Sequence, residues 1–204
     1  MKIPFLATLF LFLLVLGRAL KKNTKAMNEQ EQSFWQRERA ANSVRKKPLD
    51  NLEYVFLPLE QLPTEVHRDD AIVQECLDTL TILKDSKIVN LTGITNTDLK
   101  LTYGTANITV LTEYDQNYTS LVTTLQKWAN KLYELGDMTH AKIVLEYAVS
   151  VRSDVTATYL LLAAIYSQSG LSERIPELIS AAEKLTGTSG KIILRKLQET
   201  YPSL

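Results

Sequence analysis

A chain of 204 residues, with Lys+Arg and Asp+Glu balanced at 23 each, has room for one or two small domains. The charge is unevenly spread. Residues 18–47 hold nine Lys/Arg against three acids, and residues 48–204 hold thirteen against twenty. The acidic body argues against broad nucleic-acid binding, which needs a basic face to displace counterions, and the single cysteine, Cys76, excludes an intrachain disulfide.

Ile3–Leu16 carries no charge and one polar residue, Thr8. As a helix, residues 3–20 would span about 27 Å, close to the thickness of a hydrocarbon core. Two readings compete. One is an uncleaved transmembrane anchor over 3–20. The other is a signal peptide, with Gly17-Arg18-Ala19 as its cleavage pattern, on a secreted or envelope-associated protein, possibly enzymatic. Arg18, Lys21, Lys22 and Lys25 directly follow the apolar run, which resists export and suits anionic headgroups. The positive-inside rule therefore favours a single-pass anchor with the C-terminal domain in the cytoplasm.

Residues 21–47 are polar, free of Gly and Pro until Pro48, and rich in helix formers, which predicts a basic juxtamembrane stalk helix. Phe34 and Trp35 are its only large aromatics. Pro48 disfavours helix at Lys47 and ends the segment. Residues 48–116 predict an extended arm, one helix and loops. Tyr54-Val55-Phe56-Leu57, between Leu49 and Pro63, favours extended backbone laid against the helical body. Asp69 or Asp70 caps a helix to about Lys84 whose buried face holds Ile72, Val73, Cys76, Leu77, Leu80 and Leu83. Cys76 is a core residue on this reading, because no basic surroundings stabilise a thiolate. Thr95 or Asn96 caps a short helix that stops at Gly104.

From 117 to 204 the helical period is clear. Leu121, Leu125, Trp128 and Leu132 recur at three-four spacing. Gly136 and Gly170 break the pattern, and Ser172 caps a helix over about 173–185. A final helix over 191–200 closes the stack through Ile193 and Leu197. A self-match at 34 residues runs through this part. Gly136 recurs as Gly170, Ala129 as Ala163, Ala148 as Ala182 and Leu132 as Tyr166, a period typical of stacked helix pairs.

On these residues, 122–189 resembles two consecutive tetratricopeptide repeats. Ala129 and Ala163 match the small residue of the first helix, Gly136 and Gly170 the turn, and Ala148 and Ala182 the late Ala of the second helix. The whole chain is also similar to membrane-anchored proteins of Gram-positive anaerobes. The resemblance implies an all-α fold: an antiparallel helix-pair bundle behind a transmembrane helix, a stalk helix and one extended arm. It also implies a concave partner-binding face on the first helices, comprising Thr123, Gln126, Asn130, Tyr133, Leu160, Ala164 and Ser167. The arm at 49–63 is a rival occupant of that groove.

No catalytic, cofactor or metal site is expected. His67 beside Glu65, Asp69 and Asp70 fits no metal-ligand spacing, and His140 is an ordinary first-turn residue. There is no phosphate loop and no nucleophile elbow. Sequons at Asn90, Asn107 and Asn117 matter only in a glycosylating lumen. The expected function is a membrane-tethered, non-enzymatic adaptor or scaffold for a protein partner.

Overall fold

The computed structural model describes residues 3–202, without the side chains of residues 3–9, 11, 14, 15, 19, 23 and 26. The described chain is all-helical. Its eight α-helices are α1 (Ile3–Asn42), α2 (Ala71–Lys84), α3 (Asn96–Tyr103), α4 (Ile108–Glu134), α5 (Met138–Ser150), α6 (Thr156–Gln168), α7 (Ile175–Glu183) and α8 (Gly187–Thr200). The extended pairing among the described residues is an isolated antiparallel bridge, Tyr54 with Val89. Two compact units form, one from Met1–Lys47 with Thr95–Ile108, the other from Pro48–Ile94 with Thr109–Leu204.

In the first unit α1 packs on α3. Thr95 caps α3, its hydroxyl accepting from the Asp98 amide at 3.2 Å. Arg37 meets Asp98 at 2.5 Å, and Lys100 reaches Glu38 at 3.1 Å. Helix α1 ends at Asn42, before the expected Lys47. The backbone of 44–47 pairs instead with the end of α3: Lys47 N–H donates to Tyr103 O at 3.0 Å, and Thr105 N–H donates to Val44 O at 3.4 Å. Gly104 makes this approach possible. It adopts φ 89°, and a Cβ there would lie 2.2 Å from the Arg45 carbonyl oxygen. The anchor expected over 3–20 falls largely on side chains outside the described set, and among the described residues no helix is long and apolar enough to cross a membrane.

In the second unit Asp70 caps α2, accepting from the amides of Ile72 and Val73. The helix buries Val73, Cys76, Leu77, Leu80 and Leu83, while Ile72 stays exposed at its edge. Helix α4 starts at Ile108, nine residues before the expected boundary, and carries Tyr118, Leu121, Leu125, Trp128 and Leu132 into the core. Ion pairs Lys127–Glu75 (2.6 Å) and Lys131–Asp70 (3.1 Å) set α2 beside α4. Tyr118, sixteen residues before the end of α4, donates to the carbonyl of Arg152 just past the far end of α5 at 2.8 Å, so α4 and α5 run antiparallel. Close contacts then join α5 with α6, α6 with α7, and both α6 and α7 with α8. Ala129, Ala141, Ala148, Ala163 and Ala182 are all buried where these helices meet. Gly136 (φ 81°) and Gly170 (φ 72°) turn the chain after α4 and α6 in the left-handed region that suits glycine. Helix α8 begins at Gly187, one turn before the expected Lys191, and Ile193 and Leu197 are buried from it. Ser172 opens a single 3₁₀ turn rather than capping α7 through its side chain.

Candidate partner-binding face

Helices α4 and α6 lie side by side, and two polar links fix their register. The Thr158 hydroxyl donates to Gln126 Oε1 at 2.6 Å, 32 residues away, and Gln168 Nε2 donates to the Tyr133 hydroxyl at 3.0 Å, 35 residues away. Both offsets are near the repeat period, and the bonded positions advance in the same direction on the two helices, from 126 to 133 and from 158 to 168, so α4 and α6 run parallel.

The links also sort the expected face residues. Gln126 is only 7 % exposed. Its Oε1 is taken by Thr158 and its Nε2 donates to Asn130 Oδ1 at 2.7 Å. Gln126 is thus a brace beneath the face, not a side chain offered to a partner. Asn130 and Ser167 are exposed, and Tyr133, Leu160 and Ala164 are half-buried. Thr123 is exposed but turns its hydroxyl back to its own helix, donating to Thr119 O at 2.8 Å. Asn130, Tyr133, Leu160, Ala164 and Ser167 are thus the expected face residues that keep exposed or partly exposed side chains without turning back to their own helix, and none of them is charged.

The arm keeps to another side. Val55 N–H donates to Ile88 O at 2.9 Å, and the Tyr147 hydroxyl of α5 donates to Phe56 O at 2.8 Å. Leu57 and Leu62 anchor the arm in the core, and Phe56 itself is 77 % exposed. The arm's bonds run to α2 (Lys84 with Glu60 at 2.6 Å), to α5, to Arg152 (with Glu53 at 3.1 Å) and to residues 88–89, and Asn130 and Ser167 stay exposed.

Sequence reasoning missed the meeting of the two histidines. His140 Nδ1 lies 2.7 Å and His67 Nε2 3.0 Å from Asp137 Oδ2, while the His140 amide donates to Asp137 Oδ1 at 3.2 Å. Burial opposes ionisation of Asp137, but the bonds from the side chain and amide of His140 and from His67 outweigh it and hold the carboxyl below its usual range. His67 sits at φ 52°, a conformation that costs energy for a residue with a Cβ and that this bond helps retain. All three side chains are spent on each other and on capping α5. The cluster fastens the loop before α2 to the α4–α5 turn.

A second cluster joins α5, α6 and α7. Arg174 meets Glu146 at 2.5 Å, and its guanidinium stacks 4.8 Å above the Tyr166 ring, whose hydroxyl donates to Glu146 at 2.8 Å. A cavity of about 170 Å³ adjoins it. Glu177 also lies 3.6 Å from Arg174, so the guanidinium charge is already compensated. Cys76 is 1 % exposed, and burial pushes its thiol up to about 11, which suits an inert core residue. The sequons are structural as well. Asn107 is buried and donates from Nδ2 to both Lys47 O and Tyr103 O at 2.7 Å, which leaves that nitrogen no free hydrogen for a glycan. Asn117 Nδ2 donates to Lys87 O at 3.0 Å, and Asn90 Oδ1 accepts from the Thr92 amide. Among the described residues no group of three or more His, Cys, Asp or Glu side chains is arranged to hold a metal ion.

Comparison with protein-family models, curated proteins and solved structures gave no match to this chain.

Proposed function

We propose that the protein is a membrane-tethered, non-enzymatic adaptor that binds a protein partner on the α4–α6 face. The observation that carries this reading is the uncharged, half-apolar surface of Asn130, Tyr133, Leu160, Ala164 and Ser167 on two parallel helices. Such a surface suits a peptide or helix that brings apolar anchors and a few hydrogen bonds. The period of 34, the buried alanines and the parallel first helices support a tetratricopeptide-like pairing, α4 with α5 and α6 with α7, closed by α8.

The tether is the apolar run Ile3–Leu16 with its flank Arg18, Lys21, Lys22 and Lys25. Helix α1 continues beyond Leu20 to Asn42, about 33 Å at 1.5 Å per residue, and serves as the stalk. Confinement at a membrane raises the effective concentration of a weakly held partner, so a small face suffices.

The test is crosslinking and pull-down from membranes with wild type and an Asn130→Arg, Tyr133→Ala variant, the fold being monitored by circular dichroism. Loss of one defined protein with the fold intact supports the face. Retention of every partner removes it from consideration.

A further inference from the structure

We infer that α1 pairs in parallel with α1 of a second copy of this chain, through a seam formed by Leu13, Leu16, Leu20, Met27, Gln30 and Phe34. Leu13, Leu20, Met27 and Phe34 are spaced by seven residues, and all are more than half exposed at 55, 59, 66 and 53 %. Within the apolar run any register would be apolar, so the information lies beyond it. There, large apolar side chains are scarce, and Leu20, Met27 and Phe34 hold the spacing through an otherwise polar segment. A straight α-helix drifts by roughly 20° per seven residues, so such a stripe stays on one side only where the helix wraps around another of the same period. A lone solvated stalk gives no reason for it.

Charge follows the same line. From Leu20 to Phe34 the charged residues Lys21, Lys22, Lys25, Glu29 and Glu31 all fall off the seam, and Lys25 and Glu29 pair with each other at 3.8 Å. The described seam position between Met27 and Phe34 is occupied by Gln30, a neutral amide that donates and accepts. Across a two-fold axis an amide meets its own counterpart, and a polar layer of that kind fixes register and strand number in two-helix coils. This self-complementarity is why the partner is a second copy. Toward the carboxyl end the chain closes the seam itself. Arg37 is held by Asp98, and Ala41, the next position of the period, is fully buried. The open stretch is therefore 13–34. Trp35 flanks it, packed edge-to-face on Phe34 at 5.3 Å.

The pairing does not depend on the membrane reading, and the test separates the two. Full-length protein in detergent micelles is made as Met27→Cys, Phe34→Cys and Gln32→Cys, the last on the outer side of the helix, with buried Cys76 left in place. Copper–phenanthroline oxidation should join Met27→Cys to itself and Phe34→Cys to itself, with little product from Gln32→Cys and no mixed disulfide between Met27→Cys and Phe34→Cys when the two are combined. Self-linking at both positions requires parallel, in-register helices. Light scattering of the wild type should give twice the chain mass, reduced to one chain by a Met27→Glu, Phe34→Glu variant that keeps its helical circular dichroism. A monomeric wild type, equal linking at Gln32→Cys, or linking of seam cysteines only to another protein in membranes would overturn the inference. A dimer formed by a chain that proves not to be membrane-anchored would leave the inference standing and remove the tether.

Discussion

Replacing Thr158 by valine removes the hydroxyl that ties α6 to α4 while keeping the shape of the side chain. Thr158 is fully buried and Gln126 nearly so, and the 2.6 Å bond supplies the protein donor to Gln126 Oε1. Valine leaves that carbonyl oxygen without a partner in a place that water does not reach, at a cost of about 1–3 kcal/mol. Gln126→Leu alone should cost less on the polar side, because a threonine hydroxyl freed within a helix can turn back to its own backbone carbonyls. Removing both polar groups together leaves an apolar contact of similar volume. The double variant should therefore recover part of the loss, with a coupling of roughly 1–2 kcal/mol in the cycle. Guanidinium unfolding followed by tryptophan emission reads it directly, because Trp128 is fully buried on α4 and Trp35 is exposed on α1. If Thr158→Val stays within about 0.5 kcal/mol of wild type, as an innocuous surface change does, the register of α4 against α6 is wrong. Strict additivity in the double variant refutes it equally.

Ala129→Leu and Ala163→Leu each insert bulk where helices meet and should cost about 1–3 kcal/mol; an unchanged denaturation midpoint in both contradicts the repeat packing. The folded Asp137 carboxyl titrates below its unfolded value of about 4, so its bonds contribute stability above that pH and lose it as pH falls through the folded value. Asp137→Asn should accordingly flatten the acid limb of a stability-versus-pH curve, and a limb as steep as wild type argues against the cluster. For topology, intact mass of the membrane fraction should show an uncleaved amino end, and a C-terminal reporter should be active in the cytoplasm; activity only outside the cell reverses the orientation.

The α4–α7 part was legible because its signals are local and repeated. The alanines and turn glycines recur at 34, and outside this part Asp70 and Thr95 cap α2 and α3 where short polar side chains precede apolar periods. The start of α4 was not legible. Residues 108–116 read as short turns and loop because Thr and Asp compete with helix for backbone bonds, yet Leu111 is fully buried there and packing outweighs propensity. At the other end, the glycines around 187–190 looked like a loop and instead begin α8. Neither His67 with Asp137 nor Gln126 with Thr158 could be read, since each joins residues distant in sequence by a geometry that exists only after packing. The burial of Gln126 was not legible either, because periodicity gives the side of a helix but not which polar side chain the neighbouring helix consumes. In α1 the seven-residue spacing was present in the sequence, but it gained meaning only with a continuous helix whose apolar side chains stand exposed.

The central claim is tested most directly by photo-crosslinking in living cells. A photoreactive amino acid is placed at Asn130 or at Ser167, both exposed on the α4–α6 face, and at Glu199, exposed on α8, as the control. The account predicts one discrete adduct with the same membrane-associated protein from 130 and 167, and none from 199. Absence of an adduct at both face positions, or the same adducts from all three, contradicts it.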